Sequence, residues 1–300
     1  LAATWDPILA RELGSAIGTE FRRKGANVLL GPAVHVHRVS RGGRNAESLS
    51  GEDPLLGARL GAEFVRGVQA QRVAAVVKHF ALNSQETHRQ QASSDASERV
   101  AFEVYYPSFE AAIGAGAAAV MCAYNKVNGT HACESGALLN NVLKARLGFR
   151  GFVLSDWGAV HSADASRQGC DVEMPGADGF FGLGVLRAAR VSDSLLTSMV
   201  SRLLRPLLTL DALDARGCTV GCDCDVPLYS SVAATERSVA VARAVAAASA
   251  VLLKNEGGAL PLSRGARVAL LGDACGAPHE IDPVRERWTK GDYYVVGGSA

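Results

Sequence analysis

Four short apolar runs, at 28–30, 73–77, 117–121 and 152–154, contain no polar residue at alternate positions. A strand with one wet face alternates apolar and polar side chains, so runs of this kind belong to strands covered on both faces. Each run follows a stretch with helical spacing, at 7–24, 54–71, 98–115 and 138–147, and Gly25 closes the first of these in the usual C-terminal manner. Helix then strand, four times over, predicts parallel βα units arranged as a barrel or an open sheet. A further helix is expected over 231–248, with strands at 251–253 and 267–271 around a turn at Gly257-Gly258.

The residues that end the runs are unlike the runs themselves. Lys78-His79-Phe80 follows the second, Tyr124-Asn125 the third, and Ser155-Asp156-Trp157 the fourth, while the first leads to the loop RGGRNAESLSGEDP with Arg44 and Glu47. In parallel sheets the C-terminal edge of the strands is where sites assemble. Two roles suit Asp156: the N-cap of a following helix, or a reactive carboxylate carried to a site. Its neighbours favour the second. Trp157 supplies a flat face for a sugar or aromatic ring, Ser155 is placed to hold the carboxylate, and Lys78 and His79 can donate to ligand hydroxyls. Cations beside a carboxylate favour its ionised form, and Glu47 can pair with either Arg44 or Lys78. Met121 adds a soft apolar wall.

Composition narrows the choice of partner. Of 300 residues, 48% are hydrophobic and 20% charged, which suits a chain with a large core and excludes disorder. With 31 basic against 30 acidic residues, the net charge of +1 supplies no field for nucleic acid or an anionic membrane. No apolar run approaches the roughly 18 residues that a membrane-spanning helix needs. Three of the seven cysteines, Cys218, Cys222 and Cys224, crowd into CTVGCDCD. That spacing fits no common zinc pattern, and a structural or disulfide loop is the preferred reading over a metal site. Low periodicity beyond 210 marks 211–230 as a linker between a domain at 1–210 and a second α/β domain that opens at 231–300.

Taken in order, GRNAES, EDP, KHF, VMCAYNKVNG, LLNNVLKARLGFRGFVLSDWG, DVEMPG and AAASAVLLKNEGGALPL resemble glycoside hydrolase family 3, close to its β-glucosidase branch, over nearly the whole chain. The resemblance implies a (β/α)8-type (TIM-like) barrel, here lacking its first strand, followed by the start of an α/β sandwich domain. It implies a retaining, exo-acting β-glucosidase that removes terminal β-D-glucosyl residues by double displacement. Asp156 would be the nucleophile, with Arg44, Lys78, His79, Tyr124, Trp157, Met121 and Arg89 around the sugar. The implied partner is a carbohydrate, β-glucosides or cello-oligosaccharides, with neither nucleic acid nor membrane, and no cofactor or metal is implied. Family members are frequently secreted, and the same address is expected here.

The chain also departs from the family pattern. It begins at LAATWD, after the point where the family places its first strand and an aspartate for sugar hydroxyls. The acid/base glutamate of the branch matches no residue here, so the 300-residue chain alone is expected to be inactive. Glu47, Glu86 and Glu256 are not substitutes. KHFALNSQETHRQ lacks the glycines and proline of the loop that carries a histidine acid/base in the N-acetylglucosaminidase branch. Trp157 leans to glucosidase over β-xylosidase. A β-xylosidase or exo-glucanase on the same site, or a catalytically dead carbohydrate-binding relative, are the alternatives. Asn128-Gly129-Thr130 has the form of a glycosylation sequon.

Overall fold

The computed structural model describes residues 1–176, 179–213 and 232–272. Four strands, β1 (Val28–Leu29), β2 (Ala74–Phe80), β3 (Ala119–Cys122) and β4 (Phe152–Ser155), form one parallel sheet in the order β1-β2-β3-β4. Registers run Val28 to Ala74, Val76 to Ala119 and Ala119 to Phe152. Past β4 the chain returns to the sheet through a parallel bridge between Leu154 and Val172. The fold is thus α/β with a parallel sheet, and among the described residues that sheet is open, not a closed barrel.

Helices cover both faces, as the uninterrupted apolar runs require. On one face α1 (Pro7–Arg23), α2 (Pro54–Gln69) and α3 (Pro107–Gly114) pack Ala10, Leu60, Phe64, Val68 and Phe109 against Ala75, Val77, Val120 and Val153. On the other, Leu203 and Leu207 of α4 (Asp193–Thr209) meet Ala74, Val76, Phe152 and Leu154. Asp6 caps α1 by accepting from the N–H groups of Ile8 and Leu9, and Asp53 caps α2 through Leu55. The helix expected over 98–115 is broken: Glu98–Val100 runs into a π-helical segment, Ala101–Tyr105, before α3 starts at Pro107. Proline has no N–H to give to the preceding turn, so the ladder restarts there. The stretch at 138–147 forms a π-helical segment as well, Ala137–Arg146.

Helix α5 (Glu236–Ala248) lies against α1 and starts later than the pattern at 231 suggested, because Thr235 and Ser238 form a capping box. The strands expected at 251–253 and 267–271 do not form. Both runs are exposed, with Leu253 and Leu271 each at 91%, and no described strand lies beside them to take their backbone hydrogen bonds. Most of the expected linker, with Cys218, Cys222 and Cys224, lies outside the described residues. A disulfide joins Cys122 at the end of β3 to Cys133, closing the loop that holds Tyr124 and Asn125.

Candidate active site

The strand ends meet as the pattern demanded. Phe152 and Leu154 face α4, so alternation along β4 turns Asp156 to that same face, where Val76 leads up to Lys78 on β2 and Met121 lies on β3. Asp156 is 7% exposed. No helix begins at this residue; the next helical turn is Ala165–Gln168, so the capping role is excluded. One carboxylate oxygen, Oδ1, accepts from the Trp157 N–H at 2.8 Å. The other, Oδ2, is buried and lies 3.6 Å from His79 Nε2, and the Tyr124 phenol is close enough to the carboxylate to act as a hydrogen-bond donor to it. A buried carboxylate with so few partners calls for an explanation, and a catalytic role is among the ordinary ones. Ser155 does not hold the carboxylate, as its Oγ instead accepts from the Met174 N–H at 2.9 Å.

Glu47 organises the cations. Arg44 grips it with two hydrogen bonds of 2.5 and 2.9 Å, and Lys78 Nζ lies 3.6 Å from its Oε2. Burial opposes the Arg44 charge, but the Glu47 hydrogen bond and charge outweigh it and raise Arg44 above its ordinary value, with Glu86 and Asp156 adding to the rise. Burial lowers the Lys78 ammonium, against the pull of Glu47 and, more weakly, of Asp156. Arg89 stacks its guanidinium 4.4 Å from the centre of the Tyr124 ring. Burial, and then the charge of Asp156, push the Tyr124 phenol up to about 12, so it stays a donor at neutral pH. Trp157 is 41% exposed at the rim, whereas Met121, 2% exposed, sits in the packed layer beneath. Arg44, Lys78, His79, Tyr124 and Trp157 therefore lie about Asp156, with Arg89 on the Tyr124 ring and Met121 in the apolar layer of the sheet.

His35 escaped the sequence reading. The ring centres of His35 and His79 are 6.0 Å apart, and those of His35 and His37 6.3 Å. The only hint was the alternation His35-Val36-His37 shortly after the first strand. Burial, followed by the charges of His37, Arg44 and Lys78, lowers His35 to about 4 from 6.5. Burial and then Lys78 hold His79 well below the same value. Both imidazoles are therefore neutral near pH 7.

The stability consequence has a definite sign. A histidine with a depressed folded value costs nothing above the unfolded value of 6.5, and stability is lost as pH falls from there toward the folded value. Between pH 6 and 5 the unfolded chain holds as many as two protons that these sites refuse, a slope of up to about 2.7 kcal/mol per pH unit. Urea midpoints between pH 7.5 and 5 are expected to fall, and His35→Gln to flatten the fall by about half. A flat profile would refute this.

Among the described residues no group of three or more His, Cys, Asp or Glu side chains is arranged to hold a metal ion. What the strand ends assemble is a cluster of cationic and hydrogen-bonding side chains near Asp156, with Glu47 and Glu86 holding the cations, a layout suited to a polyhydroxylated ligand. Residues 1–175 match the model described as "Glycosyl hydrolase family 3 N terminal domain", and the chain belongs to that family. It is 41% identical over 282 residues to β-glucosidase B of Emericella nidulans, covering 91% of this chain and 32% of that protein. A β-glucosidase of Rhizobium radiobacter is 40% identical over 279 residues, covering 91% of this chain and 33% of its own length. The chain thus spans about a third of these curated relatives. Among solved structures, a Streptomyces venezuelae β-glucosidase in complex with D-glucose superposes with a TM-score of 0.78 at 34% identity, covering 87% of this chain and 34% of that one.

Proposed function

We propose that this chain carries the nucleophile and most of the glucosyl-binding groups of a retaining β-glucosidase. The observation that carries the reading is the buried carboxylate of Asp156 at the end of its strand, with Oδ2 3.6 Å from neutral His79 and with Lys78, Arg44 and Tyr124 close enough to feel its charge. In the first step an Asp156 oxygen attacks the anomeric carbon as the bond to the aglycone oxygen breaks, and a carboxylic acid protonates that oxygen. In the second, water attacks the same carbon, gives its proton to the resulting carboxylate base, and releases Asp156 with β-configured glucose. Lys78, His79, Arg44 and Arg89 donate to sugar hydroxyls and orient the ring. Trp157 and Tyr124 line the pocket, and Met121 backs it from below.

Retention needs the two carboxyl groups roughly 5–5.5 Å apart, one of them protonated. Glu47 and Glu86 are both engaged by cations, Glu47 by Arg44 and Lys78 and Glu86 by Arg89, so neither is offered as the acid. By resemblance to the β-glucosidase branch, the acid is assigned to a part of the full-length product outside these 300 residues, which on that reading are expected to lack ordinary turnover alone. The sequential strand order, with α1, α2 and α3 on one face and a further bridge at Val172, supports reading 1–210 as an arc of a (β/α)8-type barrel. The reading of 231–300 as the opening of an α/β sandwich rests on resemblance. The ligand is a carbohydrate, and no cofactor is invoked.

The test is covalent trapping in the full-length product. A 2-deoxy-2-fluoro-β-glucoside with a dinitrophenyl leaving group departs without acid assistance and accumulates as a glycosyl ester. Peptide mapping by mass spectrometry is expected to find the added sugar on Asp156. Labelling elsewhere would overturn the assignment, and turnover absent altogether would favour a binding protein.

A further inference from the structure

Glu86 reaches both guanidinium groups of the pocket: its Oε1 lies 3.8 Å from Arg44 Nη1 and its Oε2 3.0 Å from Arg89 Nη1. Its backbone N–H donates to the Gly42 carbonyl at 2.9 Å, which ties its loop to the one that presents Arg44. Gly43 makes this approach possible. Its φ is +95°, and a Cβ there would stand 2.7 Å from Glu86 Cγ. Arg44 already has Glu47 as a two-pronged partner, whereas Glu86 is the acid that pairs with Arg89 among the described residues. Arg89 in turn lies over Tyr124, whose phenol feels Asp156.

We propose that Glu86 is a positioning residue of the sugar pocket. It holds Arg89 flat on Tyr124 and fixes the spacing between Arg89 and Arg44, so that both guanidinium groups address one sugar ring. This assignment of purpose rests on the β-glucosidase reading above. The Glu86 side chain is 36% exposed, so its ion pairs are screened and add little to folding stability; their value lies in geometry. A structural brace and a positioning residue therefore predict different results.

The experiment uses the full-length product with Glu86→Gln, Arg89→Met and the double variant. Glu86→Gln keeps the size of the side chain and removes its charge. It is expected to raise KM for an aryl β-glucoside about tenfold, the worth of one charge-assisted hydrogen bond, with a smaller change in kcat and an unaltered melting temperature. The double variant is expected to be no worse than Arg89→Met alone, because Glu86 acts through Arg89. Additive losses, or a wild-type KM in Glu86→Gln, would overturn the proposal. A crystal structure of Glu86→Gln decides independently of turnover: Arg89 displaced from the Tyr124 ring supports it, and an unmoved stack refutes it. Failure of the wild-type product to hydrolyse any glycoside would sink the β-glucosidase reading alone, and the crystal structure would still settle what Glu86 does to Arg89.

Discussion

Replacing Asp156 by glycine in the full-length product is expected to lower kcat/KM on aryl β-glucosides by about four orders of magnitude or more. The size follows from what is removed. Without Asp156 the anomeric carbon has no nucleophile within bonding reach, and neither His79, buried and neutral, nor Tyr124, protonated at ordinary pH, replaces it. The fold itself should survive, because what the side chain accepts, from the Trp157 N–H and the Tyr124 phenol, is worth about 1 kcal/mol per hydrogen bond. Added azide supplies the control. It is small enough to enter the space vacated by the carboxylate, and attack from that face on a β-glucoside yields the α-glucosyl azide. Recovery of turnover with that product identifies Asp156 as the missing nucleophile. A loss of less than tenfold would remove Asp156 from the reaction.

The second large effect falls on stability. Lys144→Met is expected to cost about 3 to 5 kcal/mol, read from urea or thermal unfolding. Lys144 Nζ lies 2.9 Å from Asp171 Oδ1, with the side chains 11% and 3% exposed. Burial lowers Lys144 and raises Asp171, so each stays charged against its surroundings because of the other. Asp171 Oδ2 also accepts from the Val153 N–H at 2.8 Å, within the strand that delivers Asp156. Removing the ammonium leaves that carboxylate buried with only the weaker influence of Arg202 to offset its charge. Adding Asp171→Asn to Lys144→Met should restore much of the loss, since the amide oxygen still accepts from Val153 and no buried charge remains. A single-variant cost under about 1 kcal/mol would show that the pair is dispensable.

The sheet and the site were legible to different depths. Uninterrupted apolar runs located all four strands of the parallel sheet, because burial on both faces leaves its mark on every residue of the run, whereas the short strands Ser93–Ser94, Lys126–Val127 and Thr130–His131 of a small second sheet carried no such mark. Strand ends then named the pocket, since a parallel sheet brings consecutive C-terminal ends to one edge; Glu47 indeed pairs with both Arg44 and Lys78. Contacts between loops were another matter. The approach of Gly43 to Glu86, like the burial of His35 against His79, depends on how loops fold back, and no periodicity records that. Seven cysteines gave no means of selecting Cys122 and Cys133, which meet only because β3 and its following loop bring them together. Apolar content at 251–253 and 267–271 mimicked strands, but a strand exists only beside a partner.

That bond between Cys122 and Cys133 bears on how the protein is made. It cinches eleven positions of sequence into a ring that includes Tyr124, and a ring of that size removes about 3 kcal/mol of freedom from the unfolded chain. In a host whose thiols stay reduced, the wall carrying Tyr124 would hang on a longer leash. Material from oxidising and reducing production routes would then share one sequence but differ in how tightly Tyr124 is kept beside Asp156.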